Sequence, residues 1–270
     1  TEPGQQIEIR MGFSLRGVDQ ARRNLYADCG AIDERRGVIP SSFAARRRKT
    51  AGQWRRELDL ITIETDDHAT RTIFATALYH SLIKPCMAPS EGPAWPTPGP
   101  FAFDICTMWD IYRTQLPLLS LLLPDRAVEL ANALLHICEQ EGNLPIGYRM
   151  AKGADRFTRQ ASALAQIFLG DLCRLGVGGI DWDWALCFMD SDFRRDYGEE
   201  FLVRGLTHPV SHTLDLAEAA HSTAVVARQV GDLAAASRFE DLARNWSNAF
   251  DPDTGLLIDS SFYEGGKWNY

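Results

Sequence analysis

The stretch Asp125-Arg126-Ala127-Val128-Glu129-Leu130-Ala131-Asn132-Ala133-Leu134-Leu135-His136-Ile137-Cys138-Glu139-Gln140-Glu141 reads as one helix with punctuation at both ends. Pro124 stands where a helix stops or turns, Asp125 where an N-cap belongs, and Gly142 where a helix ends. The same signature recurs outward along the chain. Asp66 or Asp67 caps a helix over 70–82, with Phe74, Leu78 and Leu82 on one face and Pro85 ending it. Asp232 caps another helix, over 232–250, after a turn at Gly231. Further helices are expected over 18–26, 41–60, 106–122, 156–175 and 211–230, with 181–204 part helix and part loop. Residues 89–100 hold five prolines and two glycines and read as an exposed loop. Two short strands are expected, over 7–14 from its alternation of apolar and polar residues, and over 60–64. Successive helices joined by shorter loops pack as antiparallel hairpins. No fixed short repeat marks a tetratricopeptide-type solenoid. A ring of such hairpins, an (α/α)-barrel, gathers loops at one end into a bowl.

Composition narrows the possibilities. At 270 residues, 45% of them hydrophobic and 24% charged, the chain has ample material for a core. A net charge of -8 argues against a nucleic-acid partner. Arg46, Arg47, Arg48, Lys49, Arg55 and Arg56 form a basic cluster that reads as a solvated helix face. The apolar run over 116–123 is interrupted by Pro117 and is too short to span a membrane. The six cysteines form no CxxC pair, which disfavours a zinc site, and Cys138 and Cys173 fall on apolar helix faces as buried free thiols do.

Several segments carry groups with chemical potential. Thr107-Met108-Trp109-Asp110-Ile111-Tyr112-Arg113-Thr114 begins a helix directly after the proline-rich loop. Its Trp-Asp pair offers a stacking plate and a hydroxyl-binding carboxylate, or else simple compensation of the helix dipole. The segment 139–148 is either a helix C-cap followed by a turn or the rim of a pocket. His208 and His212 have metal-ligand spacing but lack the HExxH context. Asp251-Pro252-Asp253-Thr254-Gly255 reads as a turn rather than a calcium loop, because the closing Glu is absent. In Ser261-Phe262-Tyr263-Glu264-Gly265-Gly266-Lys267-Trp268-Asn269-Tyr270 a carboxylate sits among aromatic rings and an amide. Those are the groups a sugar needs: faces to stack on, hydroxyl partners and an acid for the leaving oxygen. No GxSxG elbow, phosphate loop or dinucleotide fingerprint is present.

Five blocks, taken in order, resemble glycoside hydrolase family 92, the calcium-dependent exo-acting α-mannosidases. They are 74–82, Met108-Trp109-Asp110-Ile111-Tyr112-Arg113-Thr114 with Pro117-Leu118, Gly142-Asn143-Leu144-Pro145, 250–255, and Tyr263-Glu264-Gly265-Gly266-Lys267-Trp268-Asn269-Tyr270. The resemblance implies a mainly α chain: part of an (α/α)6-barrel preceded by a short strand and linker-helix remnant of an N-terminal β-sandwich domain. Residues 1–64 would be the end of the sandwich and its linker helices, and 65–270 the N-terminal part of the barrel. Glu264 falls on the family's general acid, Trp109 and Asp110 on its sugar-pocket pair, and Arg113 and Trp268 within the matching blocks. Asn269 stands for the family's Gln and is the implied metal-site residue, with calcium as the implied cofactor. The substrate implied is carbohydrate, an α-mannoside or related glycan, hydrolysed with inversion and outside the cytoplasm, in the periplasm or secreted. The catalytic base finds no match here, so the chain reads as a piece that needs the remaining C-terminal part of the barrel. The sequence departs from the family pattern where Gly266 replaces an Asn and where Gln160 stands in the region of a family His.

Overall fold

A computed structural model describes residues 4–5, 9–14, 16–29, 42–87, 102–103, 105, 108–149, 153–154, 161–194, 197–258, 263–264 and 267–268. The chain divides into two compact units, Thr1–Ile83 with Ala88–Pro100, and Lys84–Met87 with Phe101–Tyr270.

The first unit holds α1 (Val18–Cys29), α2 (Phe43–Leu58) and α3 (His68–Ser81). Local signals start two of them. Ser42 caps α2 by accepting the Ala45 amide, and Asp67 caps α3 by accepting the amides of Ala69 and Thr70 at 3.0 and 3.1 Å. The Thr70 hydroxyl, followed by those two amides, holds the Asp67 carboxyl below the usual range. Neither α1 nor α2 buries a residue, and α3 buries Leu78. Trp54 of α2 meets Tyr79 of α3 edge-on, with ring centroids 4.5 Å apart. Among the described residues the expected strands are not formed, and residues 7–8 lie outside them. Residues 9–14 carry no ladder, and Ile9, Met11 and Phe13 are 77%, 86% and 77% exposed. Residues 60–64 alternate exposed and half-buried positions, also without a ladder. A strand persists through its hydrogen-bonded neighbour, and alternation alone supplies none.

The second unit holds α4 (Met108–Ile111), α5 (Gln115–Leu122), α6 (Pro124–Glu141), α7 (Leu164–Arg174), α8 (Trp182–Asp192), α9 (Tyr197–Arg204), α10 (Val210–Val230) and α11 (Leu233–Ala243). A 3-10 helix over Arg244–Ala249 continues from α11. Consecutive helices pack on one another in the pairs α5–α6, α7–α8 and α10–α11, and α10 also packs along α7. Among the described residues, four antiparallel two-stranded ladders sit on the connections: β1 (Cys86–Met87) with β2 (Ala102–Phe103), β3 (Tyr148–Arg149) with β4 (Gly153–Ala154), β5 (Phe250–Asp251) with β6 (Leu256–Leu257), and β7 (Tyr263–Glu264) with β8 (Lys267–Trp268). The fold is mainly α, as the capping pattern implies.

Three boundaries differ from the sequence reading. Asp125 is not the cap of α6: Pro124 takes the first helical position and Leu123 precedes it, without a side-chain cap. Proline suits that position because its missing N–H would be unpaired there anyway, and Asp125 then faces the helix dipole from the first turn. The expected helix over 106–122 breaks into α4 and α5 at Thr114, whose φ of -123° and ψ of -80° are not helical. Pro117 explains the break, because its ring clashes with the carbonyl four residues back and is tolerated only in a first turn. The helix expected from 156 is described from Leu164, and residues 155–160, with Gln160, lie outside the described residues, as does the loop 88–100.

The core follows α7 and α10. Nine of the eleven residues of α7 are buried, Phe168, Leu169 and Leu172 among them. Burying one such side chain is worth about 1.5–3 kcal/mol, and this burial fixes the helix where no side-chain cap does. Gly170 lets α10 approach closely: a Cβ there would stand 2.5 Å from the Cβ of Ser222. Cys138 and Cys173 are buried and outside any disulfide, as expected, and burial pushes the Cys173 thiol up. No helix among the described residues is long and apolar enough to cross a membrane.

Candidate active site

The site is built from the end of α6. Gly142 closes that helix in the left-handed region (φ 81°), donating its N–H to the Cys138 carbonyl at 2.8 Å. The chain then turns inward rather than outward. Asn143 is 8% exposed and Tyr148 2%, so the segment is a helix cap leading into a buried loop, and neither residue stands on a rim. Burial, together with the Glu141 carboxylate that its hydroxyl bonds, pushes the Tyr148 phenol up.

This loop is fastened on two sides. Asp192, the last residue of α8, accepts the Leu144 amide at 3.2 Å and the Gln166 side-chain amide at 2.8 Å. On the other side the Ile146 carbonyl accepts the Met108 amide at 2.9 Å, and the Tyr148 amide donates to the Ile105 carbonyl at 2.7 Å. The backbone immediately before the Trp-Asp pair is therefore held by a loop some forty residues further on.

Met108 is fully buried, Trp109 is half-buried, and Asp110 and Arg113 are exposed. A single short turn thus presents a ring, a carboxylate and a guanidinium from a buried anchor. Arg113 donates from Nε to the Tyr112 hydroxyl at 2.9 Å and pairs with the Glu218 carboxylate on α10. The Tyr112 contact raises the Arg113 pKa, against burial and with help from Glu218. Asp215, one turn before Glu218, accepts the Ser162 amide at 3.1 Å. Burial foremost, with Glu218, lifts its carboxyl to about 7, against the Ser162 amide and Arg113.

The structure thus brings Trp109, Asp110 and Arg113 onto one turn. Glu264 and Trp268 lie on the β7–β8 hairpin, where Tyr263 pairs with Trp268 and Glu264 with Lys267 along the ladder. Asn269 lies outside the described residues. The sequence reading missed Asp192, Asp215 and Glu218. The signal for the last two was two acids three apart on the helix expected over 211–230.

The remaining metal candidates do not assemble. His208 is exposed and precedes α10, whereas His212 is buried inside it, so they share no helix face. Asp251 accepts the Asp253 amide at 3.0 Å and the Thr254 hydroxyl at 2.7 Å, closing the β5–β6 turn. Among the described residues no group of three or more His, Cys, Asp and Glu could hold a metal ion.

The second unit is thus a set of packed helical hairpins with the Trp109–Asp110–Arg113 turn set on a buried anchor. Residues 20–269 match the model of the glycosyl hydrolase family 92 catalytic domain, and the chain belongs to that family. Among solved structures it is similar to a family GH92 alpha-mannosidase from Bacteroides thetaiotaomicron in complex with mannoimidazole. That match has 22% identity and a TM-score of 0.78, over 94% of this chain and 34% of the other. A family GH92 inverting mannosidase of the same organism matches at 21% identity and a TM-score of 0.77, over 94% of this chain and 36% of the other. A further GH92 family glycosyl hydrolase matches at 18% identity and a TM-score of 0.66. The chain spans about a third of the length of the solved structures it matches. No curated protein matches it.

Proposed function

We propose that the full-length protein is a glycoside hydrolase of the exo-acting α-mannosidase type that inverts the anomeric carbon. The observation that carries this reading is the family match over residues 20–269, with Asp110 and Arg113 exposed beside a half-buried Trp109 on a buried anchor inside it. In this reading residues 1–64 are the end of a β-sandwich with its linker helices, and 65–270 are the N-terminal part of the barrel. The site of action is the periplasm or the exterior.

Trp109 stacks on the sugar, while Asp110 and Arg113 bind its hydroxyls, and Trp268 contributes a second face. Glu264, protonated, gives its proton to the glycosidic oxygen as the bond to the anomeric carbon breaks. A water deprotonated by a base outside this chain attacks from the opposite face, which requires the two carboxyl groups to stand roughly 6.5–9.5 Å apart. Calcium would be held by residues beyond those described, with Asn269 as this chain's contribution, and no step here depends on it.

Glu264→Gln in the full-length protein tests the assignment. Hydrolysis of mannosides with poor leaving groups falls by about 10²–10⁴-fold while their binding is retained. Unchanged turnover removes Glu264 from the mechanism.

A second reading is favoured by Gly266 and by the shorter amide at Asn269: the same scaffold with a different sugar specificity. A panel of aryl glycosides with and without chelator separates the two. Chelator-sensitive turnover of the mannoside alone supports the first.

A further inference from the structure

Three segments of the second unit meet around Arg113: the turn after α4, the approach to α7, and the first part of α10. Glu218 reaches Arg113 from α10, and Asp215 on the same helix accepts the Ser162 amide at 3.1 Å. Ser162 precedes Ala163, which holds a left-handed φ of 55° without being glycine. Such a conformation persists where the surrounding structure over-determines it. One helix therefore grips both the turn that carries Asp110 and the backbone that enters α7.

We infer that Asp215 and Glu218 are positioning residues of the sugar-facing turn. Glu218 aims the Arg113 guanidinium from α10, and Asp215 ties the same corner to the start of α7. The inference rests on the reading of Trp109, Asp110 and Arg113 as the sugar-binding turn.

The charged groups that reach Asp215 are Glu218 from its own helix and Arg113 from the turn after α4, while the start of α7 supplies the Ser162 amide. The corner also has a pH sense. The Asp215 carboxyl titrates near neutrality in the fold, above its ordinary value, so the native state takes up a proton that the unfolded chain does not. Below the ordinary carboxylate range its contribution to stability is complete. As pH rises to about 7 that contribution is lost, and an ionised Asp215 then competes with Glu218 for Arg113.

The test is steady-state kinetics of the full-length protein on an aryl α-mannoside across pH. Glu218→Gln raises KM about tenfold with kcat nearly unchanged, as loss of an aimed binding group does. Asp215→Asn mimics the protonated carboxyl and keeps an acceptor for Ser162. It retains activity in mild acid and removes an ionisation near neutrality from the kcat/KM profile. Additive losses in Arg113→Lys with Glu218→Gln, or an Asp215→Asn profile that superimposes on wild type, overturn the inference. Wild-type turnover checks the proposed function separately. If the wild type is inert toward mannosides, that function fails, and the thermal midpoint from about pH 4 to 8 decides the Asp215 linkage. A falling wild-type midpoint beside a flatter Asp215→Asn curve supports the linkage, and parallel curves overturn it.

Discussion

Helices α2 and α7 each carry a glycine in mid-helix, and the two glycines mean opposite things. Gly52 of α2 has open space where a Cβ would go, on a helix that buries no residue and starts from a Ser42 cap. Gly170 of α7 faces Ser222 on α10 at a distance no side chain tolerates, on a helix with nine buried residues and no side-chain cap. The first helix exists because of local propensity and capping. The second exists because its neighbours require its surface.

The largest expected effect lies on the packed side. Asp192→Ala leaves the Leu144 amide and the Gln166 side chain without their acceptor, costing about 2–4 kcal/mol. It should lower the denaturation midpoint and speed hydrogen exchange at Leu144. Protection unchanged at that amide would show that the loop is held by something else. Next is Gly170→Ala, which forces α7 and α10 apart at Ser222 and outweighs the gain in helix propensity, for a net loss of about 1–2 kcal/mol. Smallest is the same substitution at Gly52, which should stabilise by about 0.4–1 kcal/mol. Equal signs at the two glycines in denaturant titrations would erase the contrast between the helices.

Much of the helical pattern was legible. The caps at Asp67 and Asp232, the left-handed closures at Gly142 and Gly231, and the turn after Asp251 all follow from residue types that act on backbone within a few positions. The strands expected at the described residues 9–14 and 60–64 did not follow, because a ladder needs a partner that alternation cannot name. The break at Thr114 was written in Pro117 but masked by the apolar run around it.

The candidate site divides in the same way. Trp109 and Asp110 were visible as a pair at a helix start. The clamp that sets them was not, since Met108 and Ile105 are held by Ile146 and Tyr148 from a buried loop that the sequence reads either as a turn or as a rim. Asp192, Asp215 and Glu218 were passed over because an acid in a helix ordinarily faces water. Their work depends on what stands opposite, at Leu144, Ser162 and Arg113.

The order of residues alone settled several helix ends, at Asp67, Gly142, Gly231 and Asp232, and which family's blocks the chain carries. Capping and left-handed closure are contacts between near neighbours, and block order is a property of the string. Tertiary structure decided which helix faces are buried, which carboxylates are lifted or paired, and what holds the Trp-Asp turn in place. Those outcomes depend on groups brought together across fifty or a hundred residues, through desolvation and hydrogen bonds that no local pattern contains.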